Sequence, residues 1–183
     1  PFLQKENEVA TDLSNIKEPN QITAIFVDTS GTMRAAFLNQ KRYEAASEIA
    51  NKLIECIHDF NIFGSLIVTT SFTEKLDSSR IPLKIERKEV KGRTNIWDKL
   101  DSLLKMIKEK KKGNKDCLVH IVIITDGEDT DSQIKREDIL KEIKKEKIIV
   151  DSIILCDDEH SQDPSLFAEY TNGVYLFAPK LDS

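Results

Sequence analysis

Ile22-Thr23-Ala24-Ile25-Phe26-Val27 carries no charge and stops abruptly at Asp28-Thr29-Ser30-Gly31-Thr32. A short apolar run closed by turn-forming residues reads as a strand buried on both faces, and such strands belong to parallel sheets covered by helices. Farther along, Leu118-Val119-His120-Ile121-Val122-Ile123-Ile124 repeats the pattern and ends in Thr125-Asp126-Gly127-Glu128-Asp129. Two buried strands, each delivering an aspartate at its end, frame the reading of everything between and after them.

From Arg42 to Asp59, apolar Tyr43, Ala46, Ile49, Ala50, Leu53, Ile54 and Ile57 recur at the three-and-four spacing of an amphipathic helix. A second such helix is predicted from Ile96 to Lys111, its face made by Ile96, Trp97, Leu100, Leu103, Leu104 and Ile107. The lysines at its end, Lys108, Lys110, Lys111 and Lys112, complement the negative pole of a helix C-terminus and read as a solvated face. Phe63 to Thr70 reads as a strand, and Ile81-Pro82-Leu83-Lys84-Ile85 alternates like an exposed edge strand, where a proline that cannot donate to a ladder is tolerated. A helix over 134–146, a strand over 148–155, a short helix over 164–170 and a strand over 174–177 complete the chain. Residues 1–20 are polar and read as an N-terminal tail or packing arm, leaving 21–183 as one domain. Strands alternating with helices require crossovers of fixed hand. The expectation is an α/β, doubly wound, mostly parallel six-stranded sheet with one antiparallel edge strand and helices on both faces. Ligands of such sheets gather beyond the carboxy ends of the strands, where strand order reverses.

Composition narrows the function. A net charge of −5 gives no global basic field to hold a phosphate backbone, so nucleic acid is not expected as a partner. The apolar runs fall far short of a bilayer span, so no membrane segment is expected. Cys56, Cys117 and Cys156 are an odd set without C-x-x-C spacing and stand among apolar neighbours. Buried free thiols and a reducing, cytoplasmic compartment are the expectation. No signal peptide is visible, and a chain opening on Pro1 without an initiator methionine is expected to be part of a longer one.

The strand ends hold Asp28, Ser30, Thr32 and Asp126, and Lys91-Gly92-Arg93-Thr94-Asn95 brings a further hydroxyl just before the second helix. Two carboxylates and three hydroxyls form an all-oxygen set that suits a hard cation such as Mg²⁺, with Mn²⁺ or Ca²⁺ not separable from it by composition. Ser30 and Thr32, two apart on an extended loop, can face the same ion, while Asp28 and Asp126 orient its waters. Each piece alone has an ordinary reading: an Asx or Ser/Thr turn at Asp28 to Thr32, a helix cap at Thr94-Asn95, a turn at Asp126-Gly127. Their joint appearance at the ends of the expected elements points to the metal.

In this combination the chain resembles the von Willebrand factor type A family, which includes the inserted domains of integrins. The family's metal-ion-dependent adhesion site is Asp-x-Ser-x-Ser, a distant Thr and a distant Asp; here these read Asp28-Thr29-Ser30-Gly31-Thr32, Thr94 and Asp126. The resemblance covers about residues 20–178, including Ala168 to Tyr175 before the last strand. It implies that Ser30 and Thr32 ligate directly, Thr94 directly or through water, and Asp28 and Asp126 mainly through water. It also implies a non-enzymatic module that binds a Glu or Asp carboxylate of a protein partner through the metal. Thr32 departs from the usual second serine but keeps its hydroxyl, and Arg93 puts a cation where glycine is frequent beside Thr94.

Two other functions compete. Asp28 at the end of a strand could be the nucleophile of a Mg²⁺-dependent phosphoryl-transfer enzyme, although haloacid dehalogenase-type phosphatases have a second Asp where Ser30 stands. A structural scaffold in a larger assembly is the other alternative. Walker A and G-x-G-x-x-G patterns are absent. His58, His120 and His160 lack metal-ligand spacing and read as surface, capped or core imidazoles; Trp97 reads as core; Phe37 is a candidate partner anchor, and Met33 and Arg34 are candidate rim contacts. Glu128, Asp129 and Asp131 read as a solvated loop capping the helix that follows.

Overall fold

Strand β1 (Gln21–Val27) takes the centre of a sheet because both its faces are apolar. Ile22, Ala24 and Phe26 enter one core and Ile25 and Val27 another on the opposite side. The computed structural model describes residues 21–59, 64–71, 82–111, 114, 116–127, 129–156 and 162–177. After β1 come a 3₁₀ turn (Gly31–Arg34), β2 (Ala36–Phe37), β3 (Gln40–Lys41), α1 (Arg42–Asp59) and β4 (Gly64–Thr70). A second 3₁₀ turn (Arg87–Glu89), α2 (Ile96–Lys111), β5 (Leu118–Thr125), α3 (Arg136–Lys145), β6 (Ile149–Ile154), α4 (Gln162–Thr171) and β7 (Tyr175–Phe177) follow.

The sheet runs in the order β4-β1-β5-β6-β7, with every pairing parallel. The chain steps from β1 to β4 on one side, then crosses to β5 on the other. The carboxy ends of β1 and β5 therefore flank the point where strand order reverses. Helices cover both faces, as expected. α2 and α3 pack with Phe167 of α4 over Ile121 and Ile123, while α1 packs over Val122 and Ile124. Trp97 is 4% exposed, with its ring centroid 4.7 Å from that of Phe167, so it belongs to the core.

The expected six strands are corrected to five in one sheet among the described residues, and the antiparallel edge strand is not among them. Residues 82–85 do alternate, with Leu83 and Ile85 buried and Pro82 and Lys84 exposed, yet they form no strand. Their backbone is held by a side chain instead: Asn51 Nδ2 donates to the Leu83 carbonyl at 2.9 Å and Asn51 Oδ1 accepts from the Leu83 amide at 2.6 Å. Antiparallel pairing occurs elsewhere, in the small β2–β3 hairpin, where Leu38 takes a left-handed φ of 53°. Ile81, Phe63 and the proposed arm at 1–20 lie outside the described residues.

The expectation that all three cysteines are buried is also corrected. Cys156 is buried, Cys117 half-buried and Cys56 exposed on α1, and all three are free thiols. Among the described residues no helix is long and apolar enough to cross a membrane.

Candidate metal centre

Asp28 leaves β1 with its amide still in the ladder, donating to the Ile124 carbonyl at 2.8 Å, and turns its buried carboxylate into a network of donors. Oδ1 accepts from the Ser30 amide at 2.8 Å and from Ser71 Oγ at 3.1 Å. Oδ2 accepts from Ser30 Oγ at 3.1 Å and from Thr125 Oγ1 at 2.8 Å. The Ser30 amide bond is the Asx turn that the local sequence favours, and it sets the Ser30 side chain inward, fully buried. The 3₁₀ turn then carries Thr32 back over the site. Its hydroxyl lies 2.9 Å from Ser30 Oγ and donates to Asp126 Oδ1 at 2.9 Å. A continuous chain of oxygens thus runs from Asp28 through Ser30 and Thr32 to Asp126, which is 94 positions from Thr32 in sequence.

Thr94 reaches the same end of the sheet by backbone contacts. The Gly31 amide donates to the Gly92 carbonyl at 2.9 Å and the Lys91 amide to the Thr29 carbonyl at 3.0 Å, zipping the first loop to the second. A Cβ on Gly31 would stand 3.2 Å from the Gly92 oxygen, and Gly92 itself has a φ of 78°, so both glycines serve the close approach. The Thr94 carbonyl accepts from the amides of Thr130 and Asp131 at 2.9 and 3.0 Å, which ties the second loop to the third. Thr94 is buried, but among the described residues its hydroxyl makes no hydrogen bond to the other four candidates. Four of the five sequence candidates therefore form one bonded chain, and the fifth is brought to its border.

Arg42, the first residue of α1, was not singled out by sequence reasoning. Its Nη1 donates to Asp126 Oδ2 at 2.8 Å, with side chains 14% and 2% exposed. Even so, the Asp126 carboxyl is held above its ordinary value. Burial is the largest cause and the charge of Asp28 the next, and together they outweigh the hydrogen bonds from Arg42 and Thr32. Ser71 and Thr125 are the other unforeseen members. Thr125 is adjacent to Asp126 on the strand the sequence did mark, whereas no pattern singled out Ser71.

The remaining candidates sort by contact. Met33 is buried in the core beneath α1 rather than at a rim, and Phe37 is buried there too rather than presented as a partner anchor, while Arg34 is exposed. Asp129 caps α2, not the helix that follows, accepting from the Trp97 amide at 3.2 Å; Asp131 meets exposed Arg93 at 3.3 Å. His58 is exposed, His120 lies 2.8 Å from Asp151 Oδ2, and Glu128 and His160 lie outside the described residues.

The donor set fits a hard cation better than a soft one. Among the described residues no group of three or more His, Cys, Asp or Glu side chains is arranged to hold a metal. What converges instead among the described residues is a buried carboxylate pair joined by hydroxyls and served by one guanidinium, so an ionised pair keeps an excess negative charge. No protein-family model matches the chain, and a search of curated proteins finds no match to it.

Proposed function

We propose that the chain is a binding module of the von Willebrand factor type A kind, in which Asp28, Ser30, Thr32, Thr94 and Asp126 hold one Mg²⁺ or Mn²⁺. A protein partner supplies a Glu or Asp carboxylate to that ion. The observation that carries this reading is the oxygen chain from Asp28 to Asp126 at the point where strand order reverses. Hydroxyls contribute oxygens without charge, so an ion held by this set keeps electrophilicity to offer an outside carboxylate. The bound ion supplies Lewis acidity; the chain supplies the buried carboxylates and the hydroxyls that fix its place. The free cysteines are consistent with a reducing, intracellular compartment as part of the same proposal.

The phosphoryl-transfer alternative needs an Asp28 oxygen free to attack. Each of its oxygens accepts two hydrogen bonds, and the residue is 1% exposed, which favours a holding role over a nucleophilic one. Thermal unfolding followed during Mn²⁺ titration tests the proposal. Ion at about a hundredfold over its dissociation constant should add about 2.7 kcal/mol of stability, and Ser30→Ala should remove most of that response. A flat titration of the unmodified chain, with or without an acidic peptide, would remove the reading. Hydrolysis of an aryl phosphate, lost in Asp28→Asn, would replace it with the enzyme.

A further inference from the structure

Arg42 stands in a place the metal reading does not require. Its guanidinium reaches Asp126 Oδ2 at 2.8 Å from the first turn of α1, and its own amide is fixed to the Ala35 carbonyl at 3.1 Å. Asp28, by contrast, takes its four hydrogen bonds from neutral groups: the Ser30 amide and the hydroxyls of Ser30, Ser71 and Thr125. Among the described residues, Arg42 is therefore the positive charge in contact with the carboxylate pair, and it answers one of the two negative charges.

We infer that Arg42 is a built-in competitor of the divalent cation, setting the threshold at which the site loads; the inference rests on the proposed metal site. A buried carboxylate left without a counter-charge is costly, and Arg42 offsets part of that cost at Asp126 in the metal-free domain. The same guanidinium repels an incoming divalent ion across a few ångströms of low-dielectric interior. A divalent ion brings the whole charge the pair needs, so it binds against Arg42 rather than beside a vacant Asp126. Removing the guanidinium's charge should loosen the metal-free fold and tighten the metal.

Calorimetric Mn²⁺ titration of the chain, Arg42→Gln, Arg42→Met and Arg42→Lys tests this, with the metal-free unfolding temperature read in parallel. The Gln and Met variants should bind Mn²⁺ about tenfold or more tightly while melting at lower temperature without metal. The Met variant keeps the apolar stem should the Gln variant fold poorly. The Lys variant, which keeps the charge, should stay within about threefold of the parent. Unchanged or weaker binding in Gln and Met, with the parent binding normally, would overturn the competitor role and leave the metal site standing. Equal tightening in Lys and Gln would overturn the charge argument. Absence of Mn²⁺ binding in the parent and every variant would overturn both the role and the site.

Discussion

At the carboxy end of the sheet Arg42 meets Asp126 with side chains 14% and 2% exposed; at the amino end Lys108 meets Glu142 with side chains 44% and 26% exposed. The two carboxyls respond in opposite directions. Glu142 is held below its ordinary value, chiefly by the hydrogen bond from Lys108, whereas Asp126 is held above its own, chiefly by burial and then by Asp28. At the solvated end the cation wins. At the buried end a guanidinium at hydrogen-bond distance does not offset desolvation and a second carboxylate. The comparison separates a partly exposed ion pair between two helices from a buried one at the strand ends, where a second carboxylate lies close.

Backbone packing differs as well. At the amino end the strands close up around glycines: a Cβ on Gly173 would lie 2.0 Å from the Val150 carbonyl oxygen, and one on Gly64 2.2 Å from that of Gln21. Carbonyl oxygens cannot swing away as side chains do. Gly173→Ala should therefore cost about 3 kcal/mol or more, measured by urea unfolding. A cost below about 1 kcal/mol would show that the amino end yields and that its glycines are incidental.

The carboxy end should fail through hydrogen bonding. Asp28→Ala removes the acceptor for one amide and three hydroxyls in a buried pocket. The hydroxyls can turn to one another, the amide cannot, so about 2 kcal/mol should be lost in the same urea experiment. Asp28→Asn keeps one acceptor oxygen and should lose less. If Asp28→Ala were neutral, the network would be decoration and the contrast between the two ends would dissolve.

What could be read in advance follows the same division. The apolar runs at Ile22–Val27 and Leu118–Ile124 identified the central strands because runs this short, bounded by turn residues, suit buried strands better than helices, and Asp28, Ser30, Thr32 and Asp126 follow directly from their ends. The β2–β3 hairpin escaped because its strands are two residues each, too short for any alternation to show. The segment at 82–85 misled for a different reason. Alternation reports which side chains are buried, and Leu83 and Ile85 are, but it does not report whether the backbone is satisfied by a strand or by Asn51. Arg42 was invisible because a basic residue opening an amphipathic helix looks like any solvated position until the fold carries it across to Asp126.

The smallest effect is expected at the lysine pair, where its pH dependence sharpens the opening contrast. Lys108 Nζ lies 2.6 Å and Lys145 Nζ 3.6 Å from Glu142 Oε1, and the three side chains are partly exposed. After discounting for solvent screening, Glu142→Gln should cost about 0.5 kcal/mol at neutral pH. Because the folded Glu142 carboxyl sits below its unfolded value, the contribution is complete above the ordinary glutamate range. It is lost as pH falls through the lowered folded value. Lys108 is correspondingly raised, so the same pair also weakens as pH climbs through the folded lysine value. The stability difference between the parent and Glu142→Gln should thus be flat across neutral pH and vanish in acid. A difference that instead grew in acid would mean that Glu142, like Asp126, is governed by burial, and that the two ends are not electrostatically distinct.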